Sequence, residues 1–123
     1  MISVAVNIAF VSFASRAYEV PSDCVLAGVL LCLTGYSDGT PSTQTKVGVW
    51  PFLPTNPTTF VDNKSLCFGL IGFNSSAVIG SFINSVFIPN NFRLGRGRVL
   101  YLAGNSDTAL GGSAYATYFF EEL

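Results

Sequence analysis

The chain is 123 residues long, half of them hydrophobic and only 11% charged, with six basic and seven acidic side chains, no histidine and a formal net charge of −1. That length suits one domain spanning 1–123 around a single core, and a charge near zero supplies no field to attract nucleic acid or an anionic membrane surface. Without histidine the commonest general base and the usual zinc or haem ligand are missing, so Ser-His-Asp and Cys-His catalysis are excluded.

An ordinary soluble domain carries about 25% charged residues. A monomer of this size exposes on the order of 6,000 Å², and so few charges leave much of that area neutral or apolar. Surfaces of that kind mark partner contacts, so the composition predicts an obligate homo-oligomer.

The amino-terminal segment alternates Ile2, Val4, Val6, Ile8 and Phe10 with Ser3, Ala5, Asn7 and Ala9. This period of two predicts a first strand over about Ile2 to Phe13, with one apolar face and one face of small side chains. A signal peptide is not expected there, because a basic n-region is lacking and Ser3, Asn7 and Ser12 interrupt the apolar run. After a turn at Pro21, Ser22 and Asp23, the run from Cys24 to Thr34 is apolar on both faces, as in a central strand covered on two sides. It is too short for the ~20 residues of a membrane span. Gly28 within it suggests a bulge.

The segment GYSDGTPSTQT, Gly35 to Thr45, has the composition of a surface loop, with Asp38-Gly39 as its turn signal. A strand from Lys46 towards Leu53 follows, and Pro51, Pro54 and Pro57 then cut the chain into short extended pieces. Phe60 and Val61 lead into an Asp62-Asn63-Lys64 turn, Ser65 to Phe73 reads as a strand, and Asn74-Ser75-Ser76 turns the chain back. Ala77 to Ile88 reads as one bent strand or two short ones, and Phe92 to Leu94, Arg98 to Ala103 and Ser113 to Phe120 follow. Helix signals are almost absent. The sum is an all-β, jelly-roll-like antiparallel β-sandwich of about eight or nine strands.

Few residues invite chemistry. Cys24, Cys32 and Cys67 fit no CxxC or zinc spacing, and free thiols are expected rather than a disulfide such as Cys32 to Cys67. Lys46 and Lys64 have no serine in a nucleophile-elbow pattern to activate. Glu121 and Glu122 are neighbours on a strand and point to opposite faces, so they cannot flank one glycosidic bond. Asp38, Asp62 and Asp107 lie in loops without the DxDxDG spacing of a calcium site and read as turn formers. Trp50, between Val49 and Pro51, reads as a packing anchor before a sugar platform. Gly95 and Gly97 lack the third glycine of a dinucleotide fingerprint. No enzyme, cofactor or metal is expected.

Arg93, Arg96 and Arg98 hold half of the positive charge, in the segment Arg93-Leu94-Gly95-Arg96-Gly97-Arg98. Alternation places Arg96 and Arg98 on one face of an edge strand, with the glycines admitting another backbone. Planar guanidinium groups there would suit acidic groups of a partner subunit, and a solvated edge strand whose charges discourage aggregation is the alternative. Specific nucleic-acid binding is not expected, because no aromatic interleaving accompanies them.

The closing pattern Val86-Phe87-Ile88-Pro89, Arg93-Leu94-Gly95, Arg98-Val99-Leu100-Tyr101-Leu102 and Gly112-Ser113-Ala114-Tyr115-Ala116-Thr117-Tyr118-Phe119-Phe120-Glu121-Glu122 resembles the end of small jelly-roll proteins that decorate or cement tailed-bacteriophage capsids. It is also similar to trimeric TNF-like sandwiches. It departs at Asn90-Asn91, where many such sequences place glycine, although Asn tolerates the same left-handed backbone. The resemblance implies a structural protein of the virion, made in the host cytoplasm, homotrimeric, and bound between copies of the major capsid protein. A head-fibre, tail or receptor-binding module and a small carbohydrate-binding sandwich are the alternatives. The last of these requires Trp50 or a tyrosine exposed beside Asn or Asp.

Overall fold

The computed structural model describes residues 1–40, 43–54, 67–75, 79–108 and 110–123. Among them are eight strands and no helix: β1 (Ile2–Phe10), β2 (Phe13–Glu19), β3 (Cys24–Asp38), β4 (Gln44–Trp50), β5 (Gly69–Asn74), β6 (Ile79–Leu94), β7 (Val99–Ser106) and β8 (Gly112–Glu122). They form two four-stranded sheets ordered β1-β8-β3-β6 and β2-β7-β4-β5. The pairs β1 with β8, β2 with β7, β3 with β6 and β4 with β5 nest inside one another, all antiparallel. That is the pairing of one long hairpin wrapped into a sandwich, the topology of a jelly roll.

The inner faces supply the core. Leu26, Val29, Leu31 and Leu33 of β3 meet Val47 and Val49 of β4, and Leu100, Leu102, Ala116 and Tyr118 complete the layer. Each strand contributes every second residue, which is why the apolar positions recur with period two. Tyr118 is fully buried and its hydroxyl has no hydrogen-bond partner. Burial pushes its pKa above the ordinary tyrosine range.

The first strand has the expected alternation, with Val6 and Phe10 inward and Ser3, Ala5, Asn7 and Ala9 outward, but it ends at Phe10. A separate strand, β2, then crosses to the other sheet. Its inward-register residues include Arg16, which escapes burial at the sheet edge, so FASRAYE shows no clean apolar period. The bulge suggested by Gly28 is present, as a register shift between Leu26 and Gly28. Of the expected loop Gly35 to Thr45, Gly35 to Asp38 is instead the last part of β3, Gln44 and Thr45 open β4, and the turn falls at Gly39, whose φ is 87°. Asp38 Oδ1 accepts a hydrogen bond from the Thr40 amide at 2.9 Å, as a turn-forming aspartate does.

Ile79 to Leu94 is one 16-residue strand rather than two pieces. It runs straight through Pro89 because β6 is an edge strand and Pro89 pairs with Gly28 at the bulge, where a missing N–H breaks nothing. Asn90 is therefore a strand residue. Its side-chain amide donates to the carbonyls of Phe68 and Ile88 at 3.2 and 3.1 Å. The Pro57 break and the Asp62-Asn63-Lys64 turn lie outside the described residues.

Candidate assembly surface

The two sheets differ in what covers their outer sides. On the β2-β7-β4-β5 sheet, Trp50 and Ala103 are fully buried in a second apolar cluster with Phe13, Phe52, Cys67 and Leu70. The chain thus folds its own residues over that face. Gly48 makes room for the indole, since a Cβ there would lie 2.5 Å from Trp50 Cη2.

On the β1-β8-β3-β6 sheet the described residues leave the outer face open. There β3 is central and β8 and β6 flank it, and the register defines rows of outward residues across the three strands. From one end the rows are Glu121-Val25-Arg93, Phe119-Gly28-Pro89, Thr117-Leu30-Phe87, Tyr115-Cys32-Ser85 and Ser113-Thr34-Ile83. On the far side of β8, β1 adds Ser3, Ala5, Asn7 and Ala9. Charge lies mainly at the ends, as Glu121 and Arg93 in the first row and Asp38 opposite Ile79 beyond the last, with Arg16 reaching round the β1 edge to Asn7.

Large side chains on this face are solvent-exposed: Ile83 by 76%, Phe87 by 53% and Tyr115 by 47%. Phe87 lies over Gly28, where an added Cβ would collide with its ring, and meets Phe119 edge-on with centroids 5.8 Å apart. Tyr115 shares a hydrogen bond with Cys32, which raises the pKa of its hydroxyl. Four strands spaced about 4.8 Å apart, over the 11 residues of β8, give a plan area of roughly 700 Å². Relief from the side chains adds to that, so the face reaches the ~800 Å² per partner of a standard protein interface.

The arginines do not share a strand face. Arg93 is on β6, whereas Gly95-Arg96-Gly97-Arg98 is a turn closed by a 3.1 Å bond from the Arg98 amide to the Gly95 carbonyl. Gly97 has φ of 88°, the left-handed value a type II turn needs at its third position. Alternation fails here because the turn reverses the chain. The Arg96 amide donates to Asp23 Oδ1 at 2.8 Å and the Gly97 amide to the Val20 carbonyl at 2.9 Å, which pins the turn to the β2–β3 connection. All three arginine side chains are exposed.

The other candidates are dispersed. Cys32 lies on the open face and Cys67 in the cluster on the opposite outer face. With two sheets about 10 Å apart between them they are beyond disulfide reach, and none of the three cysteines is in a disulfide. Burial raises the pKa of Cys24 and Cys67. Asp107 accepts a 3.3 Å bond from the Gln44 amide, tying β4 to the β7 end. Among the described residues no three His, Cys, Asp or Glu side chains gather as a metal site, and no helix is long and apolar enough to cross a membrane. Lys46 is half-buried, while Lys64 and Asp62 lie outside the described residues. Trp50 is unavailable to stack on a sugar. Tyr115 is exposed opposite Asn7, but Arg16 Nη1 already donates to Asn7 Oδ1 at 3.0 Å.

No protein-family model matches the chain, and no curated protein does. Among solved structures it is similar to the capsid asymmetric unit of cyanophage Pam1, with 16% identity over 96% of this chain and 79% of that one at a TM-score of 0.46. It is also similar to the structure of tomato aspermy virus, at 13% identity, 99% and 78% coverage and a TM-score of 0.45. A third is the carbohydrate-binding module TmCBM61 in complex with β-1,4-galactotriose, at 13% identity, 96% and 70% coverage and a TM-score of 0.41. Of a longer similar chain, an α-amino acid ester hydrolase, this chain spans 23%.

Proposed function

We propose that this chain is a non-enzymatic structural protein of a virion, one that decorates or cements a capsid by binding between capsid subunits. The observation that carries the reading is the open outer face of the β1-β8-β3-β6 sheet. It combines the area of a protein interface with exposed aromatic and aliphatic side chains and few charged ones, the composition of a surface that is covered when the protein works. The arginine turn supplies a second, polar contact of a different kind. Arg96 and Arg98 project from a turn whose backbone is already fixed by Asp23 and Val20, so only their side chains are ordered when they meet acidic or carbonyl groups of a capsid subunit.

Co-sedimentation with virions of the same source tests this. The parent chain is expected in the particle fraction. R96A/R98A is expected to weaken retention, and increasingly so as salt is raised, because an exposed charged contact is screened. A chain that stays wholly in the soluble fraction would contradict the proposal. Unaltered retention of the double variant would remove the turn from it.

A further inference from the structure

We propose that the open face of the β1-β8-β3-β6 sheet is a two-fold self-association surface whose partner is a second copy of this chain, with the dyad running along β3. This rests on reading that face as an assembly surface, and it names the occupant.

The argument lies in the rows. A dyad along the central strand places β8 of one copy over β6 of the other, so each row meets itself reversed. In the first row Glu121 and Arg93 flank Val25 on either side. Reversal sets each Glu121 against the other copy's Arg93, twice per dimer. In three of the four rows that follow, size complements size, while the remaining row sets Phe119 against Pro89. Tyr115 meets Ser85, Phe87 meets Thr117, and Ile83 meets Ser113. A large side chain on one flank is opposed by a small one on the other, as interdigitation across two sheets about 10 Å apart requires. Sheets packed in this way cross at about 30°. The offset this introduces is largest in the end row, where the two longest side chains, Arg and Glu, stand to bridge it.

Two features independent of the rows ask for the same cover. Residues Cys24 to Thr34 of β3 are apolar on both faces, and the described residues cover only the inner one. Strand β6 is a long edge strand with exposed Ile83 and Phe87, a form that invites uncontrolled pairing unless covered. In the dimer β6 lies against β8 of the second copy, and β1 of that copy overhangs its free edge. The symmetry is two-fold, so the expected mass is twice that of the chain rather than the three-fold mass implied by the sequence resemblance.

Sedimentation velocity on the parent, R93E, E121R, R93E/E121R and S85W tests the proposal. The parent is expected as a dimer. R93E and E121R each bring like charges together and should weaken the dimer at least tenfold, while the double reversal should return it to within about threefold of the parent. S85W enlarges an exposed edge-strand position, and should give a folded monomer because the incoming tryptophan occupies the place of the other copy's Tyr115. Alkylation of Cys32 should be slow in the parent and fast in R93E, which leaves the row of Cys32 untouched, with Cys67 on the opposite face reacting equally in both. A parent monomer, a trimer, or a dimer that R93E and S85W leave intact would overturn the proposal. So would Cys32 shielded only on virions, which would assign the face to a capsid subunit. Virion binding by a monomeric parent would leave the proposed function standing, and a dimer that ignores virions would leave only the self-association.

Discussion

Gly111→Ala is expected to lower the stability of the fold by about 3 kcal/mol, from a left-handed backbone that disfavours side chains and a collision that cannot relax locally. Gly111 has φ of 70°, and a methyl group added to it would strike the carbonyl oxygen of Phe10 in the backbone of β1. Its amide donates to the Thr108 hydroxyl at 3.2 Å, which fixes the chain as it enters β8. The consequence reaches the assembly surface, because the next residue, Gly112, pairs with Phe10 and sets the register of the whole strand. A one-residue slip would turn Tyr115, Thr117 and Phe119 inward and Tyr118 outward. Thermal unfolding should show a midpoint lower by roughly 10 °C, and the fraction of dimer should fall with it. An unchanged midpoint would show that the β1–β8 end accommodates a side chain.

Trp50→Ala is expected to cost about 3–5 kcal/mol, the usual range for emptying a buried tryptophan site. Trp50 is fully buried against Ala103, with Phe13, Phe52, Cys67 and Leu70 around it, and Gly48 beneath leaves no side chain to fill the space. The cluster stands on the outer side of the β2-β7-β4-β5 sheet, away from the open face. The variant should therefore unfold at lower denaturant while its folded fraction keeps the parent's oligomeric state. Loss of the oligomer without loss of stability would show that the tryptophan side, and not the open face, is where copies meet.

What the sequence reveals and what it conceals follow from the range of the interactions. The strand β1 is legible because its alternation is local and uninterrupted, and the bulge at Gly28 because glycine in an apolar strand has few other uses. The strand β2 is concealed by Arg16, which occupies an inward register position yet reaches solvent and Asn7 at the sheet edge. The length of β6 is concealed by Pro89, which ends a central strand but not an edge strand opposite a bulge. Alternation also joins Arg96 to Arg98, where a turn with Gly97 at positive φ separates them. The open face is half legible. The two-sided apolar run of β3 announces that both faces are covered, but nothing local says that the described residues supply only one of the covers. The row pattern depends on β3 pairing with both β6 and β8, far away in sequence, and emerges only with the topology.

The mass of the intact chain in solution, measured by light scattering from about 1 to 50 μM at physiological salt, tests the central claim most directly. A surface that works by being covered predicts a species of twice the chain mass that dissociates only on dilution. A monodisperse monomer across that whole range would contradict it.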